Sequence, residues 1–357
     1  MRPSWVEVDL NAVRHNATVL GEISAPAQVC AVVKADGYAH GDVPVAEAAL
    51  EAGATWLAVA LVEEGIRLRE AGIEAPILLL SEPDHEDAGE VVHWRLTPTV
   101  YRSSYAKALS AAGATHVQVK VNTGMHRVGV DPEGLPEVIT AISNLGMSLQ
   151  GLWSHFAVSE EDANFTEVQI DRFNKVVERY QVPMTHLANT AGAVLFPHAR
   201  RDMVRCGIGI YGVHPGQSTV GEVDLRQVMR IVSTVVFTRR LPAGERPSYG
   251  RIRPLGVGST VATVPIGYAD GVPRNLAARG GQVLINGNRY PLAGNVTMDQ
   301  LLIDVGDDPV NVGDEVVLLG QQGGADVPVT EWSELMGTIP WEIMSRIGTR
   351  LPRRYTE

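Results

Sequence analysis

At 357 residues the chain is long for one compact core and predicts two domains, or a barrel with a smaller companion. Hydrophobic residues at 45% and charged residues at 20% exclude a disordered chain. A net charge of −11, spread along the sequence, argues against nucleic acid as a partner and means that an anionic ligand needs local positive charge.

The N-terminal segment has no apolar core of signal-peptide length, and Ser4–Asp9 alternates like a strand. From about residue 28 to residue 212, β-type runs alternate with helical ones. The predicted strands are Gln28–Ala35, Trp56–Leu61, Pro76–Ser81, Thr97–Tyr101, Val117–Val121, Leu149–His155, Met184–Leu187 and Met203–Tyr211. Asp42-Val43-Pro44 starts a helix with a cap residue and a first-turn proline, and Gly53 stops it. Gly72, Gly113 and Gly146 end three more. This order predicts an α/β fold with an N-terminal (β/α)8 TIM-like barrel over residues 10–225. A doubly wound sheet would more often show about five or six strands. In a barrel, functional residues are expected to follow the strands.

After about residue 225 helical periodicity nearly vanishes. Arg230–Arg239, Thr260–Ile266, Gln282–Ile285, Leu301–Val305 and Glu315–Leu319 read as strands, with turns at Asn286-Gly287 and Val312-Gly313-Asp314. Residues 226–357 are expected to form a mostly-β C-terminal domain, with residues 1–9 pairing with it. Cys30 and Cys206 lie in apolar segments, which implies neither a disulfide framework nor a metal site. No apolar stretch approaches transmembrane length, so a cytoplasmic protein without a membrane partner is expected.

The first barrel strand ends Val32-Val33-Lys34-Ala35-Asp36-Gly37-Tyr38-Ala39-His40-Gly41. A lysine there is costly unless used or paired, and a lowered pKa would suit it to Schiff-base formation. It could equally snorkel to solvent from a strand edge, and position alone leaves both readings open.

The string as a whole resembles the PLP-lysine signature of the alanine racemase family, PLP being pyridoxal 5′-phosphate. Further blocks match in the family's order: Asn122-Thr123-Gly124-Met125-His126-Arg127-Val128-Gly129, Gly151-Leu152-Trp153-Ser154-His155-Phe156, His186-Leu187-Ala188-Asn189-Thr190-Ala191, Met203 through Gly212, Ser248-Tyr249-Gly250, Pro265 through Gly271 and Val296-Thr297-Met298-Asp299-Gln300. The resemblance runs from Trp5 to Ile347, nearly the whole chain.

The resemblance implies that Lys34 carries PLP and acts on one face of the substrate Cα, with Tyr249 as the second base on the other. A tyrosine side chain ordinarily ionises near pH 10, so a supporting partner is needed. The family's histidine–arginine pair falls on His155 and Arg205. Arg205 also matches the residue facing the pyridine nitrogen. Arginine donates hydrogen bonds but does not readily give up a proton, which would leave that nitrogen unprotonated and the electron sink weak. Tyr38, Thr190 and the backbone N–H groups of Gly207 and Ile208 match the phosphate donors, and Asn189 falls in the same cofactor-binding set. Arg127 matches the contact to the phenolic oxygen and substrate carboxylate, and Met298 a second carboxylate contact. Tyr268 and Asp299 match the inner gate of the substrate channel.

In this family Tyr249, Tyr268, Met298 and Asp299 come from the partner subunit, so a homodimer is implied. Lys120 matches a lysine that is carbamylated in some members, and a plain strand lysine is an equal reading. The chain departs from the family pattern at Asn122, in place of aspartate, at His126, where glycine is common, at Asn295, where arginine is frequent, and at Trp341, where many members have tyrosine. The activity implied is interconversion of L- and D-alanine, supplying D-alanine for bacterial peptidoglycan. The alternatives are a racemase for another small amino acid such as serine, or a related PLP decarboxylase. A non-catalytic PLP-binding barrel would not need the β domain, and a Schiff-base aldolase leaves the phosphate-site matches unexplained.

Overall fold

The computed structural model describes residues 2–357, which form two compact units. One comprises Asn11–Gly37 and Asp42–Arg226; the other comprises residues up to Leu10, Tyr38–Gly41 and Gln227–Glu357.

Strand β1 (Ser4–Asp9) belongs to the second unit. The first unit carries eight parallel strands: β2 (Gln28–Val32), β3 (Trp56–Val59), β4 (Ile77–Leu79), β5 (Thr99–Val100), β6 (His116–Lys120), β7 (Ser148–Trp153), β8 (Met184–His186) and β9 (Met203–Cys206). Their order is β4-β3-β2-β9-β8-β7-β6-β5. The ring closes between β4 and Thr97, two residues before β5, where Thr97 N donates to Ile77 O at 2.7 Å and Leu79 N to Thr97 O at 3.0 Å. The result is an eight-stranded parallel barrel with helices between its strands, as the sequence predicts. Cys30, Val32, Trp56, Ala58, Leu78 and Met203 form a buried cluster drawn from β2, β3, β4 and β9.

The helices start and stop where their punctuation predicts. Asp42 Oδ1 accepts from Val43 N at 2.9 Å at the start of helix Asp42–Glu51. Gly72, Gly113 and Gly146 follow helices Val62–Glu70, Ser103–Ala111 and Leu135–Asn144 at φ of 88°, 95° and 74°.

Several strands stop short of the predicted ends. β2 ends at Val32 because residues 35–39 coil left-handed, with φ of 54°, 54°, 57°, 51° and 64°. Such a turn costs about 1–2 kcal/mol for each non-glycine residue. The Glu64 carboxylate offsets part of that cost by accepting from Ala35 N at 2.6 Å. β9 ends at Cys206, and Ile208–Tyr211 is a 3₁₀ turn instead of further strand.

The second unit contains β10 (Met229–Thr234), β11 (Phe237–Leu241), β12 (Ser259–Val264), β13 (Gln282–Ile285), β14 (Asn288–Pro291), β15 (Leu301–Gly306), β16 (Glu315–Gln322), β17 (Ala325–Val327) and β18 (Arg353–Thr356). One sheet runs β14-β13-β16-β10-β1-β18, with β17 on β16; a second runs β11-β12-β15. β1 pairs antiparallel with β10 and parallel with β18. The single strand expected over Arg230–Arg239 is two, in different sheets. Val235 N bonds Asp314 O beside the first sheet, and Val236 N bonds Thr263 O in the second, so the chain changes sheets at one peptide. The sequence shows only a continuous β-prone run there. Two short helices, Val329–Met336 and Pro340–Ser345, also occur where helical periodicity nearly vanishes. The turn at Asn286-Gly287 has both residues at positive φ, 52° and 78°. Among the described residues no helix is long and apolar enough to cross a membrane.

Candidate active site

At the C-terminal ends of the barrel strands, Arg205 is buried in β9 and surrounded by acceptors. Its Nη1 donates to His186 Nδ1 at 2.7 Å. Its Nη2 donates to Ser154 O at 2.7 Å and Leu187 O at 3.1 Å, and lies 3.2 Å from His155 Nδ1. Guanidinium only donates, so both imidazoles must present an unprotonated Nδ1. His186 Nε2 then carries the proton and donates to Gln118 Oε1 at 2.7 Å. Electrostatics agree. Burial, then Arg205, holds His186 well below the usual histidine range. Burial, then Arg205, Lys120, Arg127 and Lys34, does the same for His155.

Those four cations share one environment. Lys34, partly buried at the start of the left-handed turn, has its amine lowered by burial and by Arg127, with Glu64 opposing. Lys120 ends β6, and burial with Arg205, Arg127 and Lys34 brings it down to about 7. Burial lowers Arg205 to about 10. The Trp153 ring takes Lys120 Nζ at 4.3 Å and Arg205 Cζ at 4.6 Å, and stacks on His186. Arg127 is exposed on the loop after β6. Asn122 braces that loop, accepting from Gly124 N and His126 N and donating to Asp131 Oδ1 at 2.8 Å and to His126 Nδ1 at 2.9 Å.

Beside β8 and β9 lies a backbone cradle. Thr190 Oγ1 accepts from Gly207 N at 3.2 Å and Gly209 N at 3.4 Å. A Cβ on Gly209 would stand 2.6 Å from Thr190 Cγ2, so only glycine permits the approach. Ile208 is buried between these glycines. Asn189 caps helix Thr190–Leu195: its Oδ1 accepts from Gly192 N and Ser159 Oγ, both at 2.9 Å.

The remaining expected residues lie in the second unit. Tyr38 is buried in the left-handed turn, and burial pushes its phenol pKa up. Tyr249, Tyr268 and Met298 are exposed by 70%, 39% and 53%, far more than large apolar side chains normally are. Tyr268 N bonds Thr297 O at 3.0 Å and Ala269 N bonds Met298 O at 3.1 Å, which ties Tyr268, Met298 and Asp299 into one loop pair. Arg350 pairs with Asp299 at 2.7 Å and lies 3.5 Å from Asp270, which Arg2 also holds.

Within the barrel the structure therefore brings together Lys34, Arg127, His155 and Arg205, beside a Thr190–Gly207 cradle. Sequence reasoning missed Glu64, Gln118, Trp153 and His186 as site residues. Trp153 and His186 lie inside matched blocks. Gln118 shares its strand face with Lys120, which alternation could have shown. Glu64 carries no local signal. Among the described residues no cluster of His, Cys, Asp or Glu has the form of a metal site.

The family models for the alanine racemase N-terminal domain and the alanine racemase C-terminal domain match residues 8–215 and 228–355. The chain belongs to the alanine racemase family. Alanine racemases from Symbiobacterium thermophilum and Halothermothrix orenii are 42% and 39% identical to it, each over 99% of this chain and 97% of the relative. The alanine racemase structure from Bacillus anthracis with bound L-Ala-P superposes with a TM-score of 0.93 at 32% identity, covering 100% of this chain and 96% of that one. A histidine racemase from Leuconostoc mesenteroides superposes at 0.91 with 27% identity, covering 100% of this chain and 98% of that one, so the racemase fold does not itself fix the side chain accepted.

Proposed function

We propose that the chain interconverts L-alanine and D-alanine with PLP as cofactor, Lys34 and Tyr249 handling protons on opposite faces of the substrate Cα. The observation that carries the reading is the cation set Lys34, Lys120, Arg127 and Arg205, faced by the single carboxylate of Glu64 among the groups acting on Lys34. In a chain of net charge −11, such a concentration of positive charge suits a ligand bearing phosphate and carboxylate groups.

The residues present fit the cofactor. Lys34, with its amine lowered, would hold it covalently. The Thr190 cradle supports a phosphate end at which the Thr190 hydroxyl and the Gly207 and Ile208 N–H groups would bind the phosphate, and the family resemblance implies the same role for Asn189 and Tyr38. When bound, PLP supplies the electron sink that makes the α-proton removable. Arg205 is held as a donor by His186 and Ser154, so it can offer the ring nitrogen a hydrogen bond but not a proton. Such a partner would limit the charge the cofactor can accept and would favour return of a proton to Cα. Arg127 and the Met298 N–H would bind the substrate carboxylate, and the Met298 side chain, Tyr268 and Asp299 would restrict the substrate to a methyl group.

Arg205 also weighs against a decarboxylase, which would be expected to place a carboxylate at the ring nitrogen and a cysteine in the β domain. This chain has no cysteine beyond Cys206. The exposed Tyr249, Tyr268 and Met298 support a homodimer in which these residues complete the partner's site. Cys30 and Cys206 are both free and buried, which suits the cytoplasm, and bacterial peptidoglycan is the expected destination of D-alanine.

The test is L-alanine in heavy water with the PLP-loaded protein, following optical rotation and α-deuterium together. Loss of rotation with exchange is expected. Neither change, from a loaded dimer, would reject alanine and turn attention to serine and larger side chains.

A further inference from the structure

The phenol proposed as the second base sits on a strained turn. Ser248 has φ 65° and ψ 179°, Gly250 φ 74° and Arg251 φ 44°, so left-handed backbone flanks Tyr249 on both sides. The Tyr249 side chain is 70% exposed within its own chain, so packing does little to fix it there. Hydrogen bonds hold the backbone instead. Asn295, 7% exposed, donates from Nδ2 to Tyr249 O at 3.0 Å. Ser248 Oγ donates back to Asn295 O at 2.5 Å. A Cβ on Gly250 would meet Asn295 Nδ2 at 3.0 Å, and one on Gly294 would collide with Pro247 O. The Gly294–Asn295 backbone thus lies directly against the turn. A buried amide N–H₂ needs an acceptor, and this one uses the carbonyl of the residue that bears the phenol.

We infer that Asn295 is a positioning residue for Tyr249, its amide and the Ser248 hydroxyl clamping the Ser248–Gly250 turn. The inference rests on the two-base reading. Proton transfer is sensitive to placement, and a shift of about 1 Å at a reacting group can cost on the order of a hundredfold. Loosening the clamp should therefore slow the Tyr249 step and leave the Lys34 step alone. The α-deuterium isotope effect should then rise for the enantiomer deprotonated by Tyr249. It should fall for the other, because the Lys34 step becomes less rate-limiting.

The experiment uses the PLP-loaded protein as parent, Asn295→Ala, the near-isosteric Asn295→Asp, and Tyr249→Phe. Steady-state constants and α-deuterium isotope effects are measured from both enantiomers, with amide hydrogen exchange followed over residues 246–253 and over the Lys34 segment. Both Asn295 variants are expected to lose about tenfold in kcat, the equivalent of one hydrogen bond. KM and PLP content should stay within about twofold, since neither depends on that bond. Isotope effects should move in opposite directions for the two enantiomers, and exchange should quicken over residues 246–253 alone. Parental isotope effects and exchange in both variants overturn the clamp, as do isotope effects that shift together for both enantiomers. Full racemisation by Tyr249→Phe brings down the two-base reading, and this inference with it. Loss of activity in Tyr249→Phe with parental behaviour at Asn295 brings down the inference alone.

Discussion

Arg205 Nη1 lies 2.7 Å from His186 Nδ1, and that bond fixes the buried histidine as a neutral acceptor. Gln118 Oε1 takes the proton on the far side at 2.7 Å, so a guanidinium, an imidazole and an amide form one directional chain. All three are buried. Replacing His186 by leucine leaves both a buried donor and a buried acceptor without their partner. A loss of about 2–4 kcal/mol is expected, in urea unfolding of the apo-protein. Gln118→Leu together with His186→Leu should cost less than the sum of the two single changes, because they share one network. Strict additivity would show that the chain is not coupled.

Lys34→Ala should abolish the absorbance of covalently held PLP. Tyr249→Phe should retain that absorbance while losing about 10²–10⁴ in kcat. Full activity in Tyr249→Phe would end the two-base assignment.

Lys120 is brought down to about 7 from an ordinary 10.5, so the folded state binds fewer protons than the unfolded one between those values. Stability should rise with pH across that window, and the penalty for burying the amine is complete below about 7. Lys120→Met removes the penalty. Its stability relative to the parent should be most favourable near pH 6 and shrink by an amount on the order of 3–5 kcal/mol as pH approaches 10.5. Parallel stability–pH curves for the two proteins would contradict the lowered amine.

Glu64 accepts from Ala35 N at 2.6 Å, Ala60 N at 2.8 Å and Leu61 N at 3.1 Å, joining the Lys34 turn to the end of β3. Glu64→Ala leaves three N–H groups without that acceptor and should destabilise the apo-protein by about 3 kcal/mol. PLP binding should weaken as well. Glu64→Gln, which keeps one acceptor oxygen, should recover part of both losses. Equal behaviour of the two variants in melting and PLP titration would rule out the carboxylate as the anchor.

Gly209→Ala places a methyl 2.6 Å from Thr190 Cγ2. The cradle must open, so PLP affinity should fall about tenfold or more, with kcat recovering at saturating PLP. Unchanged PLP affinity, measured by titration of the apo-protein, would remove Thr190–Gly209 from the phosphate end.

Much of this molecule is legible in its sequence. Each barrel strand lies within or overlaps its predicted run because a parallel barrel buries both faces of its strands, leaving dense apolar stretches between helices punctuated by glycine. The Lys34 string and the ordered blocks mark the family because chemistry ties residue types to strand ends. Strand ends were less legible. The predicted strand runs on to Ala35, but the chain turns into a left-handed coil over residues 35–39, anchored at Ala35 by Glu64, a partner distant in sequence. Val235 and Val236 are both β-prone, yet they bond to different sheets.

By itself the sequence determined the barrel, the β segment after it, the family, and the residue types placed at Lys34, Arg205 and Tyr249. Local pattern suffices for these, since side-chain period and motif order are properties of the chain. Only the tertiary structure decided that Lys34, Lys120, Arg127 and Arg205 act on one another, that His186 and His155 are held neutral, and that Asn295 grips the Tyr249 turn. Charge proximity, burial and hydrogen-bond direction depend on distances between residues far apart in sequence, and no local pattern encodes them.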